Sequence, residues 1–145
     1  MTLQGQRKPK AGDLIEIDRG FYKHWSVYVG DDYIVHITGL TGMPDWSFVS
    51  SSNGQAIVKK EPLKHVVGKC NYRVNNKYDK TRQVYPVSEI IVRANNEVDK
   101  LWTYHLFAKN CEHFATEIRY NEAQSDQAYT AVAVIMVIGF LILLI

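Results

Sequence analysis

Residues 23–37, KHWSVYVGDDYIVHI, hold two runs of aromatic and β-branched residues separated by Gly30-Asp31-Asp32, the pattern of a β-hairpin. Alternation along the first run sets His24, Ser26 and Tyr28 on one face and Trp25, Val27 and Val29 on the other. Loop length then decides where His36 points. A two-residue Asp31-Asp32 loop pairs Val27 with His36 and turns the two histidines apart. A three-residue Gly30-Asp31-Asp32 loop pairs Ser26 with His36 and puts His24 diagonally beside it on the same face. Only the second register groups two imidazoles, and a lone strand histidine is more often structural than catalytic.

Around this hairpin the chain reads as an α+β fold. Gly12-Asp13-Leu14-Ile15-Glu16-Ile17 supplies a strand over 13–17, closed by a turn at Arg19-Gly20. Further strands are expected at 24–29, 33–37, 55–59 and 70–75, with helices near 62–67, 86–98 and 111–120 packing on a small antiparallel sheet. With 145 residues, 46% of them hydrophobic and 22% charged, the chain suits one compact core. Residues 9–120 are read as that domain, without internal repeats.

The hydrophobic total overstates the core. Asp126 is the last charged residue, and residues 128–145, AYTAVAVIMVIGFLILLI, would measure about 27 Å as a helix, near the thickness of a bilayer's hydrocarbon layer. A buried core helix keeps a polar face, whereas this segment has only Tyr129 and Thr130 at one end. The leading MTLQGQRKPKAG has no apolar stretch of the signal-sequence kind. The expectation is a single-pass C-terminal tail anchor after a linker at 121–127, with the domain at 9–120 facing the cytosol.

In a reducing compartment Cys70 and Cys111 are not expected to pair. Neither has a CxxC partner, and His24, His36, His65, His105 and His113 show no zinc-type spacing, so no metal or other cofactor is expected. Cys111 lies in Lys109-Asn110-Cys111-Glu112-His113-Phe114-Ala115-Thr116-Glu117-Ile118, where Phe114, Ala115 and Ile118 begin an amphipathic helix. Asn110 suits an N-cap, which puts Cys111 in the first turn. There the helix dipole and unsatisfied N–H groups favour a thiolate and can hold a developing oxyanion. A buried structural thiol remains the alternative. His113, about 200° around the helix from Cys111, is read with His65 and His105 as structural, and Cys70 as a buried thiol.

GDLIEI, KHWSVYVGDDYIVHITG, YRVNN and NCEHF together resemble the signature stretches of the phospholipase A and acyltransferase family, related to lecithin:retinol acyltransferase and more distantly to the bacterial NlpC/P60 thiol hydrolases. The match runs in order over residues 9–120. It implies a circularly permuted papain-like arrangement, with Cys111 as nucleophile, His24 as general base and His36 as the orienting third member. Tyr22 matches a family position near the site, and Asn110 adjoins the nucleophile. The implied activity is calcium-independent phospholipase A1/A2 hydrolysis, together with acyl transfer to phosphatidylethanolamine or to a lysophospholipid. Two other classes stay open: a membrane-bound interaction protein that has given up catalysis, and a thiol amidase or protease of the wider NlpC/P60 kind.

Two surface features bear on partners. The loop at 39–54 carries Trp46 and Phe48, suited either to a membrane interface or to packing back on the core. Residues 58–82 hold eight basic side chains against Glu61 and Asp79, a solvated face or a patch for anionic lipid. No nucleic-acid recognition pattern accompanies that charge.

Overall fold

A computed structural model describes residues 7–39, 55–103 and 111–121. The elements run β1 (Leu14–Asp18), β2 (Lys23–Gly30), β3 (Tyr33–Gly39), β4 (Gln55–Pro62), α1 (Leu63–Val67), β5 (Asn71–Val74), α2 (Val87–Glu97), β6 (Leu101–Thr103) and α3 (Cys111–Arg119). The strands form one six-stranded antiparallel sheet in the order β5-β1-β2-β3-β4-β6. The expected α+β class and small antiparallel sheet are present. β6 was not expected, since three residues after a turn at Asp99 (φ 72°) are too few to show a period. The linker and proposed anchor lie outside the described residues except for Asn121, as does the 39–54 loop beyond Gly39. Among the described residues no helix is long and apolar enough to cross a membrane.

Each face of the sheet has its own apolar cluster. Leu14, Trp25, Val27, Val35, Ile37, Ala56 and Val58 pack with Ile90 and Ala94 of α2 and with Phe114, Ala115 and Ile118 of α3. Ile15, Ile17, Tyr28 and Ile34 pack with Leu63, Val66 and Val67 on and around α1. These two sets have opposite strand parity, so alternation assigns them to opposite faces. At about 25 cal/mol per Å² of apolar surface removed from water, burial on both faces favours this register over any one-residue slip.

The hairpin combines features of both anticipated loops. Asp31 (φ 53°) and Asp32 (φ 65°) form a two-residue turn with both central residues at positive φ, and Gly30 pairs with Tyr33. Tyr28 nevertheless pairs with Ile34 and Val27 with Val35, so β2 has gained one residue at a bulge between Tyr28 and Gly30. The three-residue loop is therefore corrected to a tight turn plus bulge. Its consequence for pairing is retained, because the Val27–Val35 register continues to Ser26 opposite His36.

Candidate active site

Three neighbouring strands each place one polar side chain on the same face. His24 of β2 and His36 of β3 are both buried, and Nε2 of His24 lies 2.8 Å from Nδ1 of His36. Their rings meet edge to face, with centroids 5.1 Å apart and an interplanar angle of 82°. On β4 His36 pairs with Lys59, which sets Glu61 diagonally two residues along. The Glu61 carboxylate accepts from Nε2 of His36 at 2.7 Å. That hydrogen bond lowers the Glu61 pKa from its ordinary 4.5 against the opposing effect of burial, so the group is a carboxylate at neutral pH.

With His36 neutral, this order of contacts fixes the tautomers. An ionised carboxylate can only accept, so His36 donates from Nε2 and, as the neutral ring, presents a lone pair at Nδ1. Nε2 of His24 must then donate to that lone pair, which leaves the basic position of His24 at Nδ1, a buried atom.

Cys111 is the first residue of α3 and is half-buried. Its Sγ lies 3.6 Å from the carbonyl oxygen of Lys23, the residue before His24. Because α3 packs on the Trp25–Val27 face and alternation points His24 to the other, the thiol and the imidazole can meet where β2 begins. It is at that end that the sulfur sits. Tyr22 is half-buried just ahead of the strand, its ring 4.8 Å from that of Phe21 and its carbonyl accepting from the Arg19 N–H at 3.0 Å. Asn110 lies outside the described residues, and so does His105.

One loop holds α3 in place. At its start Lys77 forms an ion pair with buried Glu112 at 2.9 Å, while the same ammonium stands 5.2 Å from the Trp25 ring centre and 5.3 Å from that of Tyr78. At its end Arg119 pairs with Asp79 at 2.8 Å and donates to the Gly12 carbonyl at 2.7 Å. Tyr120 donates to the same Asp79 at 2.6 Å, and its burial followed by this bond raises the phenol pKa. Glutamate in the first turn and arginine in the last also complement the helix dipole. Position and tilt of the cysteine-bearing helix thus depend on residues 77–79.

Cys70 is not fully buried: it sits half-buried in the turn before β5, where Nη1 of Arg19 lies 3.4 Å from its sulfur. His65 is exposed on α1, and His113 faces Glu117 one turn on at 3.8 Å. Of the basic set in 58–82, Arg73 is paired with Glu16 at 2.9 Å and Lys77 with Glu112, so part of that charge is neutralised within the fold. Glu61 carried no signal in the sequence beyond its place among those lysines, because its role depends on cross-strand register.

A cysteine at a helix start, beside a strand carrying a hydrogen-bonded histidine pair, is an arrangement able to support thiol chemistry. The lecithin retinol acyltransferase family profile matches residues 7–124, and the chain belongs to that family. It is 45% identical to phospholipase A and acyltransferase 3 of Mus musculus over 91% of this chain and 83% of the relative. Phospholipase A and acyltransferase 1 of Homo sapiens is 44% identical over 92% and 81%, and phospholipase A and acyltransferase 4 of Homo sapiens 40% over 94% and 87%.

Proposed function

We propose that this chain is a phospholipase A1/A2 and phospholipid acyltransferase that works through a thioester on Cys111. The observation that carries the reading is the buried His24–His36 pair at the strand whose first carbonyl the Cys111 sulfur touches. The names of the relatives supply the substrate class. Residues 9–120 form the catalytic unit, read as a circularly permuted papain-like domain. Residues 121–127 link it to the 128–145 anchor, which holds it on the cytosolic side of a membrane, and the basic residues of 58–82 add attraction to anionic lipid.

Nδ1 of His24 takes the thiol proton, and the thiolate adds to the ester carbonyl of a glycerophospholipid. Backbone N–H groups at the start of α3 receive the oxyanion. Collapse breaks the ester C–O bond, His24 returns its proton to the departing lysophospholipid oxygen, and the acyl group stays on Cys111 as a thioester. Water then releases a fatty acid. Attack by the amine of phosphatidylethanolamine gives the N-acylated lipid, and attack by a lysophospholipid hydroxyl gives O-acylation. In each case His24 accepts the nucleophile's proton, and no step calls for calcium. Neutral His36 orients the base and stabilises its charged form through the 2.8 Å bond.

The test is incubation with phosphatidylcholine alone and with added phosphatidylethanolamine, reading all acyl products by mass spectrometry. Cys111→Ser should abolish hydrolysis and transfer, because a serine hydroxyl is far less acidic than a thiol. His24→Ala should do the same and move thiol alkylation toward the pH of an ordinary cysteine, near about 8.5. Cys70→Ser should keep most activity. Equal losses in the two cysteine variants, or an unchanged alkylation profile in His24→Ala, would remove the basis for this assignment.

A further inference from the structure

A third polar side chain continues the histidine pair. His24, His36 and Glu61 come from adjacent strands, lie on one face and are joined by contacts of 2.8 and 2.7 Å. His36 is buried, whereas the Glu61 side chain keeps 28% of its surface exposed, so the array runs from the interior to the edge of solvent. We propose that Glu61 is a positioning residue for this reaction, fixing the tautomer of His36 and through it the tautomer and charge balance of His24.

The inference rests on the reading of His24 as the base. Were His36 to carry its proton on Nδ1, two N–H groups would oppose each other unless His24 presented a lone pair at Nε2, which puts the His24 proton on Nδ1, the nitrogen needed for the thiol. For neutral His36 the Glu61 carboxylate excludes that arrangement, since it has no proton to give Nε2 of His36. When His24 becomes an imidazolium, its positive charge is stabilised by the hydrogen bond to neutral His36 and by the carboxylate beyond it. No proton need reach Glu61. The nearby Lys59 and His65 also act on this carboxylate, and both favour its ionised form.

The experiment compares the full chain with Glu61→Ala, Glu61→Gln and His24→Ala, measuring kcat and KM on dispersed phosphatidylcholine and the imidazole tautomers by long-range ¹H–¹⁵N NMR. In the unmodified protein both histidines should be Nε2–H tautomers. Glu61→Ala should lower kcat by about tenfold or more with little change in KM, and the His36 tautomer should become mixed. Glu61→Gln, whose amide oxygen still accepts from Nε2, should retain the tautomer and recover part of kcat. An Nδ1–H tautomer of His36 in the unmodified protein overturns the proposal, and so does Glu61→Ala with unchanged kcat and tautomers while His24→Ala is inactive. Full activity in His24→Ala instead overturns the assignment of the base, and this inference falls with it. N–H at Nδ1 of His36 in the unmodified protein, in a neutral or a doubly protonated ring, overturns the proposal even if a variant fails to fold.

Discussion

Nε2 of His24 stands 2.8 Å from Nδ1 of His36 because β2 has one residue more than β3 between the Asp31-Asp32 turn and the Val27–Val35 pair. Without that bulge the tight turn would set Val27 against His36, and the second imidazole would lie on the face of Trp25 and Val27, away from His24. The bulge is thus a requirement of the site. Asp32 anchors it locally: its N–H donates to the Tyr28 hydroxyl at 3.0 Å, and its carbonyl accepts from Leu63 at 2.8 Å.

Gly30 is the residue through which this geometry can be tested. Its φ of 99° suits glycine, while an added Cβ would meet only the Ala11 side chain at 3.9 Å. Gly30→Ala should therefore cost about 1–3 kcal/mol through backbone strain alone. Gly68, at φ 58° beyond α1 with nothing within 4 Å of an added Cβ, provides a strain control remote from the histidines. Both alanine variants should lower the melting temperature by several degrees. Only Gly30→Ala should lower turnover per folded molecule, as the bulge relaxes and His36 leaves His24. Equal turnover in the two variants would show that the bulge does not hold the pair.

Asp13 makes acid stability a second test. Buried at the head of β1, it accepts from Arg7 at 2.7 and 3.1 Å, from the Lys10 N–H at 2.7 Å and from Asn76 at 3.0 Å. Burial raises its pKa, but the hydrogen bonds from Arg7, Lys10 and Asn76 outweigh it and bring the folded value below the ordinary 3.8. A carboxylate with a depressed folded pKa stabilises fully above its unfolded value and loses that contribution as pH falls through the folded one. Asp13→Asn should accordingly melt lower than the unmodified protein at pH 7. The gap should close as pH falls below about 4, and calorimetry across that range reads it directly. A gap that stays constant would mean that the charge contributes nothing and the lost contacts are purely steric.

What could be read from the sequence divides along a physical line. Period-two alternation in β2 and β3, and the Cys111, Phe114, Ala115, Ile118 spacing of α3, are local signals that survived folding unchanged. Two outcomes needed long-range information. Asp31 and Asp32 tolerate positive φ, so local chemistry allowed either loop, and packing of both sheet faces selected the tight turn with a bulge. Glu61 stood four residues inside a basic stretch and became a partner of His36 only once β4 was registered against β3. The Lys77–Glu112 and Arg119–Asp79 pairs that seat α3 are of the same kind, joining residues about 35 and 40 positions apart.

The remaining prediction concerns residues 128–145, and the hypothesis is that they concentrate the enzyme on its substrate without entering the chemistry. The motivating observation is that every candidate catalytic side chain lies between positions 22 and 111, while AYTAVAVIMVIGFLILLI offers no acid, base or thiol nucleophile. Removal of residues 126–145 should leave a protein that still hydrolyses detergent-dispersed phospholipid, because β2, β3, β4 and α3 are untouched. In cells the same truncation should lose most activity, since tethering confines enzyme and lipid to one surface and can raise effective concentration by roughly 10²–10⁴-fold without a new contact. An unrelated tail-anchor helix of similar length should then restore cellular turnover. If the graft reaches the same membrane and stays inactive, or if the truncated protein folds but cannot act on dispersed lipid, side chains of the native segment take part in binding substrate and the division between tether and catalyst is wrong.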